Sequence, residues 1–335
     1  MMALKAGIKP NKIVFSGVGK TSSELNFAIN KKILLINAES LSEIIEINRI
    51  AKLKNKKVRV GVRLNPNTDA KTLNQISTGK KENKFGVNKN TFHKIVDFCK
   101  NSKNIDLKCL SVHIGSQILD HKPYGKMLKA VSHILDKTNH QFEFIDLGGG
   151  MGINYSENNK TLNYKKYNTA INNFLKKHKV KIIFEPGRSI IGNTGMLVTK
   201  VIYIKDSGRK KFIILDAAMN DFIRPSLYGS LHNALPLNEG KNEKNIERYD
   251  VVGPICETGD FFIKNFETSQ VTEGDLLAIT NVGAYGSVLS SNYNSRPSIT
   301  EIMIKEDNYS VVKKKQDIDE MIDQDILADW QKIKG

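Results

Sequence analysis

The sequence predicts an α/β protein in which strands and helices alternate to form a parallel sheet, followed by a mostly β domain. Six apolar runs alternate with amphipathic segments over residues 1–190, the pattern of successive βα units. Bare backbone at the ends of such strands is how a barrel of alternating strands and helices holds a phosphorylated ligand. Three of the runs end in glycine-bearing motifs, Cys109-Leu-Ser-Val-His-Ile-Gly-Ser116, Phe144-Ile-Asp-Leu-Gly-Gly-Gly150 and Lys181-Ile-Ile-Phe-Glu-Pro-Gly-Arg188. Their histidine, glutamate and arginine side chains indicate an enzyme.

The predicted first domain covers residues 1–190. Over 41–54 the leucine and isoleucine side chains recur every three or four residues, which places them on one helix face. Six βα units in succession favour a parallel sheet, either open or closed. The strands are predicted at 12–16, 33–37, 58–64, 107–113, 142–147 and 181–185. The helices are predicted at 22–30, 41–54, 91–101, 124–138 and 164–178.

The predicted second domain covers residues 191–335, where the helical pattern largely disappears. Apolar, β-branched runs replace it and favour an all-β domain. The strands are predicted at 196–204, 211–216, 249–256, 275–281 and 299–304. A short charged helix is predicted at 317–333, at the end of the domain.

The net charge of +16 raises the question of nucleic-acid binding. The lysines are scattered over predicted helical faces, often beside asparagine, and no ladder of aromatic side chains accompanies them. A solvated basic surface therefore accounts better for the charge.

Other compositional features bear on the compartment. The chain is 40% hydrophobic but has no long apolar stretch, and residues 1–10 form no signal peptide. Its cysteines, Cys99, Cys109 and Cys256, make no CxxC pair and no even-numbered framework. These observations predict a soluble cytoplasmic protein without a membrane segment, and no metal site is predicted.

One motif resembles a nucleotide-binding loop but does not complete it. Ser16-Gly-Val-Gly-Lys-Thr21 follows a strand and precedes a helix, yet the further glycine that such a loop needs at position 14 is replaced by Val14. We interpret the segment as a tight turn with Thr21 or Ser22 as the helix N-cap.

Several side chains at the predicted strand ends and loops are candidates for chemistry. His113 ends a strand before Gly115 and Ser116, which favours a functional role over that of a satisfied core histidine. Cys256 could be an inert buried thiol, but the glycines and proline around it and Glu257 indicate a loop that presents both side chains. If Pro225 starts a helical turn, Arg224 and Tyr228 lie on one face and could bind a carboxylate together.

Two of the strand-end motifs together predict a phosphate site. Gly148-Gly-Gly150 alone is weak evidence, because glycine runs often only make turns. Glu185-Pro-Gly-Arg188 ends the next strand, so backbone amides of both motifs would surround one phosphate.

Eight motifs occur in a fixed order along the chain. They are Gly17-Val-Gly-Lys20, Glu82-Asn-Lys-Phe-Gly86, His113-Ile-Gly-Ser-Gln117, Gly148-Gly-Gly150, Glu185-Pro-Gly-Arg188, Met219-Asn-Asp-Phe-Ile-Arg-Pro-Ser-Leu-Tyr228, Cys256-Glu-Thr-Gly-Asp260 and Gly283-Ala-Tyr-Gly286. With them the chain resembles the diaminopimelate decarboxylases, fold-type III pyridoxal-phosphate enzymes. The resemblance implies a (β/α)8 TIM barrel followed by a C-terminal β-sandwich or β-barrel domain. It also implies a homodimer with active sites shared across the interface.

The resemblance assigns roles to the candidate residues. It implies that Glu185 pairs with the pyridine nitrogen of the cofactor and that His113 stacks on the ring. It implies that Cys256, reaching the partner's site with Glu257, donates the proton that replaces the carboxylate. The implied contacts of pyridoxal phosphate are His113, Ser116, Gly150, Glu185, Pro186, Gly187, Arg188 and Tyr285. The implied contacts of the substrate are Arg188, Arg224, Tyr228, Glu257 and Tyr285.

The implied reaction converts meso-2,6-diaminopimelate to L-lysine and carbon dioxide, the last step of lysine biosynthesis. Arg188 and Arg224 favour this reaction, since ornithine and arginine decarboxylases of the same fold group bind tails without a distal carboxylate. A carboxynorspermidine-type decarboxylase, whose substrate has a distal carboxylate, is the alternative among relatives.

The sequence departs from the family pattern at its start. The family's Tyr-Ala-Val-Lys-Ala-Asn motif, whose lysine bonds to the cofactor, has no counterpart here, and Lys20 belongs to a different turn. The resemblance thus implies that the six strands are the third to the eighth of the barrel, with the first two βα units missing. Two hypotheses follow: a truncated record of a working decarboxylase, or a non-catalytic remnant or split-enzyme half.

Overall fold

A computed structural model of the chain describes residues 1–68, 84–155, 160–237, 246–269 and 271–332. The described residues form two compact units. The first contains the chain up to Asn154 and the later segment that ends at Ile190; the second contains Tyr155 and the chain from Ile191 onwards.

The first unit is a parallel sheet whose strands lie side by side in sequence order, the arrangement of a half-barrel. The predicted α/β fold class is therefore confirmed. The strands are β1 (Val14–Phe15), β2 (Leu35–Ala38), β3 (Val58–Arg63), β4 (Ile105–Ser111), β5 (Phe144–Asp146) and β6 (Lys181–Ile183). The helices are α1 (Met2–Lys5), α2 (Ser22–Lys31), α3 (Leu41–Leu53), α4 (Lys89–Lys100), α5 (His121–Lys137) and α6 (Tyr164–Lys177).

Each long helix of the first unit begins at a side chain that caps it. The Thr21 hydroxyl accepts from the Glu24 N–H, and the Glu24 carboxylate accepts from the Thr21 N–H, which makes a capping box at the start of α2. The turn predicted before α2, with Thr21 as its cap, is confirmed. The caps of α3, α4, α5 and α6 are Ser40, Asn88, Asp120 and Asn163.

The two faces of the parallel sheet carry different side chains. The outer face packs against the helices in one continuous apolar core, to which Ile36, Val60 and Ile145 belong. The inner face has a smaller apolar layer composed of Val14, Leu35, Cys109, Phe144 and Ile183. Because side chains on one face recur every second residue, the residue two positions further along each strand lies on the same inner face.

At that next inner position five strands change from apolar to polar together. The polar residues are Ser16, Asn37, Ser111, Asp146 and Glu185. Since the strands are parallel, these positions lie at one edge of the sheet, the carboxyl end. This edge is where ligands bind in parallel α/β folds.

The second unit is mostly β-structure. The strands are β7 (Leu197–Asp206), β8 (Lys211–Leu215), β9 (Ala234–Pro236), β10 (Ile246–Val252), β11 (Phe261–Ser269), β12 (Leu276–Ile279), β13 (Glu301–Lys305) and β14 (Asn308–Lys313). The main sheet has the order β11-β10-β8-β7-β12-β9, and a separate hairpin joins β13 to β14. The helices of the second unit are α8 (Arg224–Tyr228) and α9 (Ile318–Ile322), whereas α7 (Arg188–Ile191) lies at the end of the first unit.

The helix predicted at 317–333 is wrong in extent. Only α9 is α-helical, and a single 3₁₀ turn follows at Asp329–Gln331. The apolar side chains of this charged segment are not buried, since Ile322 is 57% exposed and Trp330 is 89% exposed. Without an apolar surface to bury them, a short helix in water is marginal.

The first part of the Glu82-Asn-Lys-Phe-Gly86 motif, residues 82–83, lies outside the described residues. Among the helices that are described, none is long and apolar enough to cross a bilayer.

Candidate active site

A hydrogen-bonded chain of four side chains links the ends of β1, β2, β5 and β6. The Ser16 hydroxyl donates to Glu185 Oε1 over 2.7 Å. The Asn37 amide group donates to Ser16 Oγ over 3.1 Å and to Asp146 Oδ2 over 2.7 Å. All four residues belong to the polar inner positions, so the change from apolar to polar along the strands builds this chain.

Asp146 is fully buried at the centre of these strand ends. Its carboxyl oxygens accept from the Gly148 N–H over 2.9 Å and from the Ser111 hydroxyl over 3.3 Å. Burial raises the pKa of Asp146 to about 7, and the charge of Glu185 and a hydrogen bond with it add to the increase. A buried carboxyl beside a second acidic side chain suits one cationic partner.

His113 follows β4 at the same edge of the sheet. The Gly149 N–H donates to its Nδ1 atom over 3.1 Å, so that nitrogen carries a lone pair. Burial lowers the pKa of His113 to about 4, helped by the positive charge of Arg63 and opposed by Glu185. The imidazole is therefore neutral at physiological pH, with its proton on Nε2.

The glycine triplet lets three strand-end loops approach one another closely. A Cβ atom at Gly148 would lie 2.4 Å from His113 Nδ1, and one at Gly149 would lie 2.2 Å from the Glu185 carbonyl oxygen. A Cβ atom at Gly150 would lie 2.2 Å from the Gly115 carbonyl oxygen. No side chain fits at these positions, so only glycine lets the three loops lie this close together.

Gly187 and Arg188 complete this region at the start of α7. Around Gly187 the space is open, since a Cβ atom there would meet nothing within 4 Å. Arg188 is buried, and its Nε and Nη2 atoms donate to the Ser116 hydroxyl over 3.4 and 3.2 Å. The structure thus brings together in the first unit the predicted residues His113, Ser116, Gly150, Glu185, Pro186, Gly187 and Arg188.

Arg63 is a residue of this edge that the sequence analysis did not single out. It ends β3, and its Nη1 atom donates to Glu39 Oε1 over 2.9 Å. Its guanidinium lies over the Phe85 ring, 4.8 Å from the centroid. The available signal was its position two residues after Gly61, at the end of a strand whose other residues except Arg59 are apolar.

Lys20 is held in a structural role. Its buried Nζ atom donates to the carbonyl oxygens of Gly17 and Asn37, both over 2.6 Å. It also pairs with Glu43 over 2.7 Å. These three acceptors satisfy the ammonium group, which agrees with the interpretation that this lysine serves the turn.

In the second unit, α8 carries two of the predicted substrate contacts. Pro225 lies in its first turn, as expected, and Arg224 and Tyr228 are its first and last residues. Arg224 is buried, and its Nη1 atom donates to the Tyr155 hydroxyl over 2.9 Å.

Cys256 and Glu257 lie on the loop between β10 and β11, and both are exposed. Asp260 anchors the loop, because its carboxylate accepts from the Met219 N–H over 2.7 Å and from the Ile255 N–H over 2.8 Å. The Tyr293 hydroxyl donates to Glu257 Oε2 over 3.0 Å. The loop is therefore held at its base and presents its tip.

Tyr285 is presented by a tight turn. It has a positive φ of 58°, which is uncommon for a residue with a side chain. Next to it, a Cβ atom at Gly286 would lie 2.3 Å from the Val282 carbonyl oxygen. The turn holds Tyr285 half-exposed at its tip.

The residues described by the structure contain no group of three histidine, cysteine or acidic side chains that could hold a metal ion.

Comparison with known proteins gives a consistent result. The family described as pyridoxal-dependent decarboxylase, pyridoxal binding domain, matches residues 1–192. The chain is 40% identical over 325 residues to the diaminopimelate decarboxylase of Aquifex aeolicus, covering 96% of this chain and 77% of that relative. It is 42% identical over 322 residues to the enzyme of Helicobacter pylori, covering 95% of this chain and 79% of the relative.

Solved structures agree. The crystal structure of diaminopimelate decarboxylase from Helicobacter pylori complexed with L-lysine superposes with a TM-score of 0.92 at 41% identity, covering 96% of this chain and 80% of that one. The enzyme of M. jannaschii, in co-complex with L-lysine, gives 0.90 at 32% identity, covering 98% and 77%. A viral arginine decarboxylase, at 21% identity and a TM-score of 0.74, shares the fold.

Proposed function

We propose, since this chain belongs to the diaminopimelate decarboxylase family of pyridoxal-dependent decarboxylases, that it converts meso-2,6-diaminopimelate to L-lysine and carbon dioxide. This is the last step of lysine biosynthesis. The observation that supports it most directly is the strand-end region of the first unit, where a carboxyl pair, a neutral histidine and a glycine cradle lie together. Carboxynorspermidine decarboxylation and a non-catalytic remnant are not favoured, because the relatives that match over most of the chain are diaminopimelate decarboxylases.

The residues of the first unit fit pyridoxal phosphate. Gly150 has no room for a side chain, whereas Gly187 borders open space, so amides can face a phosphate there together with Ser116 and Arg188. Pro186 fixes the turn between Glu185 and this amide group. When bound, the cofactor supplies the electron sink that stabilises the carbanion left by decarboxylation.

Each side chain of the first unit then has a defined task. Glu185, oriented by the Ser16 hydroxyl, would hold a proton at the pyridine nitrogen. His113, neutral and fixed by the Gly149 N–H, would lie against the ring without adding positive charge. Arg188, a buried cation, would compensate negative charge of the phosphate and of the substrate.

The second unit supplies the groups for the substrate. Arg224 and Tyr228 would bind the distal carboxylate, with Arg188, and Glu257 the ammonium group beside it. Tyr285 would contact both cofactor and substrate. The Cys256 thiol would donate its proton to the carbon that has lost the carboxylate.

We also propose that the enzyme is a cytoplasmic homodimer. Cys256 and Glu257 are exposed in the single chain, and a proton donor at a carbanion needs protection from water, which a partner subunit would provide. Cys99, Cys109 and Cys256 are free thiols, which suits a reducing compartment.

The test is decarboxylation by the purified protein supplied with pyridoxal phosphate. We expect lysine and carbon dioxide from meso-diaminopimelate, and no product from ornithine or arginine. Glu185→Gln should abolish turnover while the protein remains folded, as judged by circular dichroism. Release of carbon dioxide from ornithine or arginine instead of diaminopimelate would contradict the proposal.

A further inference from the structure

Arg224 is fixed by two acceptors on a single nitrogen. Its Nη1 atom donates to the Tyr155 hydroxyl over 2.9 Å and to His232 Nε2 over 3.3 Å. The Arg224 guanidinium also lies over the Tyr155 ring, 4.8 Å from the centroid. Two hydrogen bonds from one nitrogen define the plane of a guanidinium, and that plane decides how a carboxylate can pair with it.

The hydrogen bonds of His232 determine which of its nitrogens carries the proton. Nδ1 lies 2.9 Å from the Thr280 carbonyl oxygen, which can only accept, so Nδ1 bears hydrogen. Nε2 faces Arg224, which can only donate, so Nε2 offers a lone pair. His232 is therefore the neutral Nδ1–H tautomer, and a proton on Nε2 would place a donor against a donor.

Packing prevents the His232 ring from turning. The side chain is buried, and its ring meets Phe222 edge-on with centroids 4.7 Å apart. Tyr155 meets it on another side with centroids 5.0 Å apart. A fixed ring bonded to a backbone carbonyl is a rigid support for the charged side chain that it touches.

We propose that His232 is a positioning residue for Arg224, which it orients, together with Tyr155, to pair with the distal carboxylate of the substrate. The inference rests on the proposed function in one respect, namely that Arg224 binds that carboxylate. It assigns His232 no contact with the reacting atoms. The alternative is that His232 serves only to fill the core between Phe222 and Tyr155.

Two substitutions of similar size separate these roles. In His232→Gln the amide oxygen can occupy the place of Nε2 and accept from Arg224. In His232→Asn the shorter amide can still donate to the Thr280 carbonyl, but no acceptor reaches Arg224. If His232 only fills space, the two variants should behave alike in every assay.

The measurements are KM and kcat for diaminopimelate, and the affinity of pimelate and of cadaverine by calorimetry. Pimelate carries a distal carboxylate, which L-lysine also keeps after decarboxylation, whereas cadaverine has no carboxylate. In His232→Asn we expect KM for diaminopimelate and Kd for pimelate to increase about tenfold, as for a lost hydrogen bond to a charged group. We expect kcat and cadaverine affinity to change by less than about twofold, and His232→Gln to stay near wild type. Tyr155→Phe should weaken pimelate binding in the same direction.

The outcome separates this inference from the proposed function. If Arg224→Ala leaves pimelate affinity unchanged, Arg224 does not bind the carboxylate and the proposed role itself fails. A second outcome is that Arg224→Ala weakens pimelate binding while His232→Asn and His232→Gln lose the same affinity, or none. In that case His232 only fills the core between Phe222 and Tyr155. An independent readout is the ¹⁵N spectrum of the imidazole, where we expect the proton on Nδ1; a proton on Nε2 would overturn the inference.

Discussion

Asp146 and His113 lie at the same strand ends, and pH acts on them in opposite directions. The pKa of Asp146 is raised from 3.8 to about 7, so between these values the folded chain binds more protons than the unfolded chain. Its contribution to the free energy of unfolding therefore falls as pH rises through this range. The pKa of His113 is lowered from 6.5 to about 4, so its contribution rises with pH over that interval. The pH dependence of the wild-type free energy of unfolding therefore combines the opposite contributions of these two residues.

Asp146→Asn isolates one side of this balance. Because asparagine does not titrate, we expect the free energy of unfolding of the variant, relative to wild type, to increase between pH 5 and pH 7.5 by on the order of 1–3 kcal/mol. Urea unfolding at the two pH values measures it. Asp136→Asn is the control, since that carboxylate is exposed and pairs with Lys177 at the surface. Parallel profiles for wild type and Asp146→Asn would mean that Asp146 is ionised in both states.

Substitution of Gly150 should destabilise the fold. An alanine there would place Cβ 2.2 Å from the Gly115 carbonyl oxygen, at a φ of 87° that disfavours any side chain. We expect Gly150→Ala to lower the free energy of unfolding by more than about 2 kcal/mol. Gly187→Ala is the matched control, because its Cβ meets open space and its φ lies outside the left-handed region. Equal thermal midpoints for the two variants would contradict the steric argument.

At this scale the sequence predicts residues next to glycine more readily than the residues that support them. His113, Glu185 and Arg188 lie in short motifs that glycine or proline residues mark in the sequence. Asn37 and Asp146 lie inside apolar strands, and only their place two residues after an apolar inner side chain marks them. His232 and Tyr155 carry no local signal, because their roles depend on contacts between residues 77 positions apart in sequence order.

Among the elements, α2 begins at a cap that was visible in the sequence. The reciprocal bonds of Thr21 and Glu24 satisfy N–H groups that the helix itself cannot. We expect Thr21→Ala to lower the free energy of unfolding by about 1 kcal/mol. Thr169→Ala within α6 is the control, where the same change should be neutral or slightly stabilising, because alanine favours helix interiors. Denaturant unfolding of both variants measures this difference. An equally large loss of unfolding free energy in Thr169→Ala would refute a capping effect.

The hydrophobic pattern of the sequence predicted the regular helices and strands, but it did not predict the irregular strands. The six parallel strands and the five long helices between them were predicted to within a few residues, because each buries one apolar face. β11 was missed, since Asn265 adopts a positive φ and its strand bulges against β10, which interrupts the alternation. β9 and β14 were missed as well, being short or exposed throughout.

For the whole molecule, the parallel sheet is where self-association is expected. In the described chain β1 and β6 are its outermost strands, and Phe184, just after β6, is 41% exposed. Unpaired backbone beside apolar side chains is a template for pairing with another chain. We expect species larger than a dimer to increase with protein concentration in light scattering. Phe184→Lys should reduce them, because a charge at a sheet edge opposes pairing.

The control for this prediction is a second exposed apolar residue away from any sheet edge. Leu53, at the end of α3, is 74% exposed, so Leu53→Lys adds the same charge and removes a similar apolar surface. If any exposed apolar side chain promotes association, both variants should reduce it equally. If the edge causes it, only Phe184→Lys acts, and the difference should persist at high salt, where repulsion from the overall charge of +16 is screened.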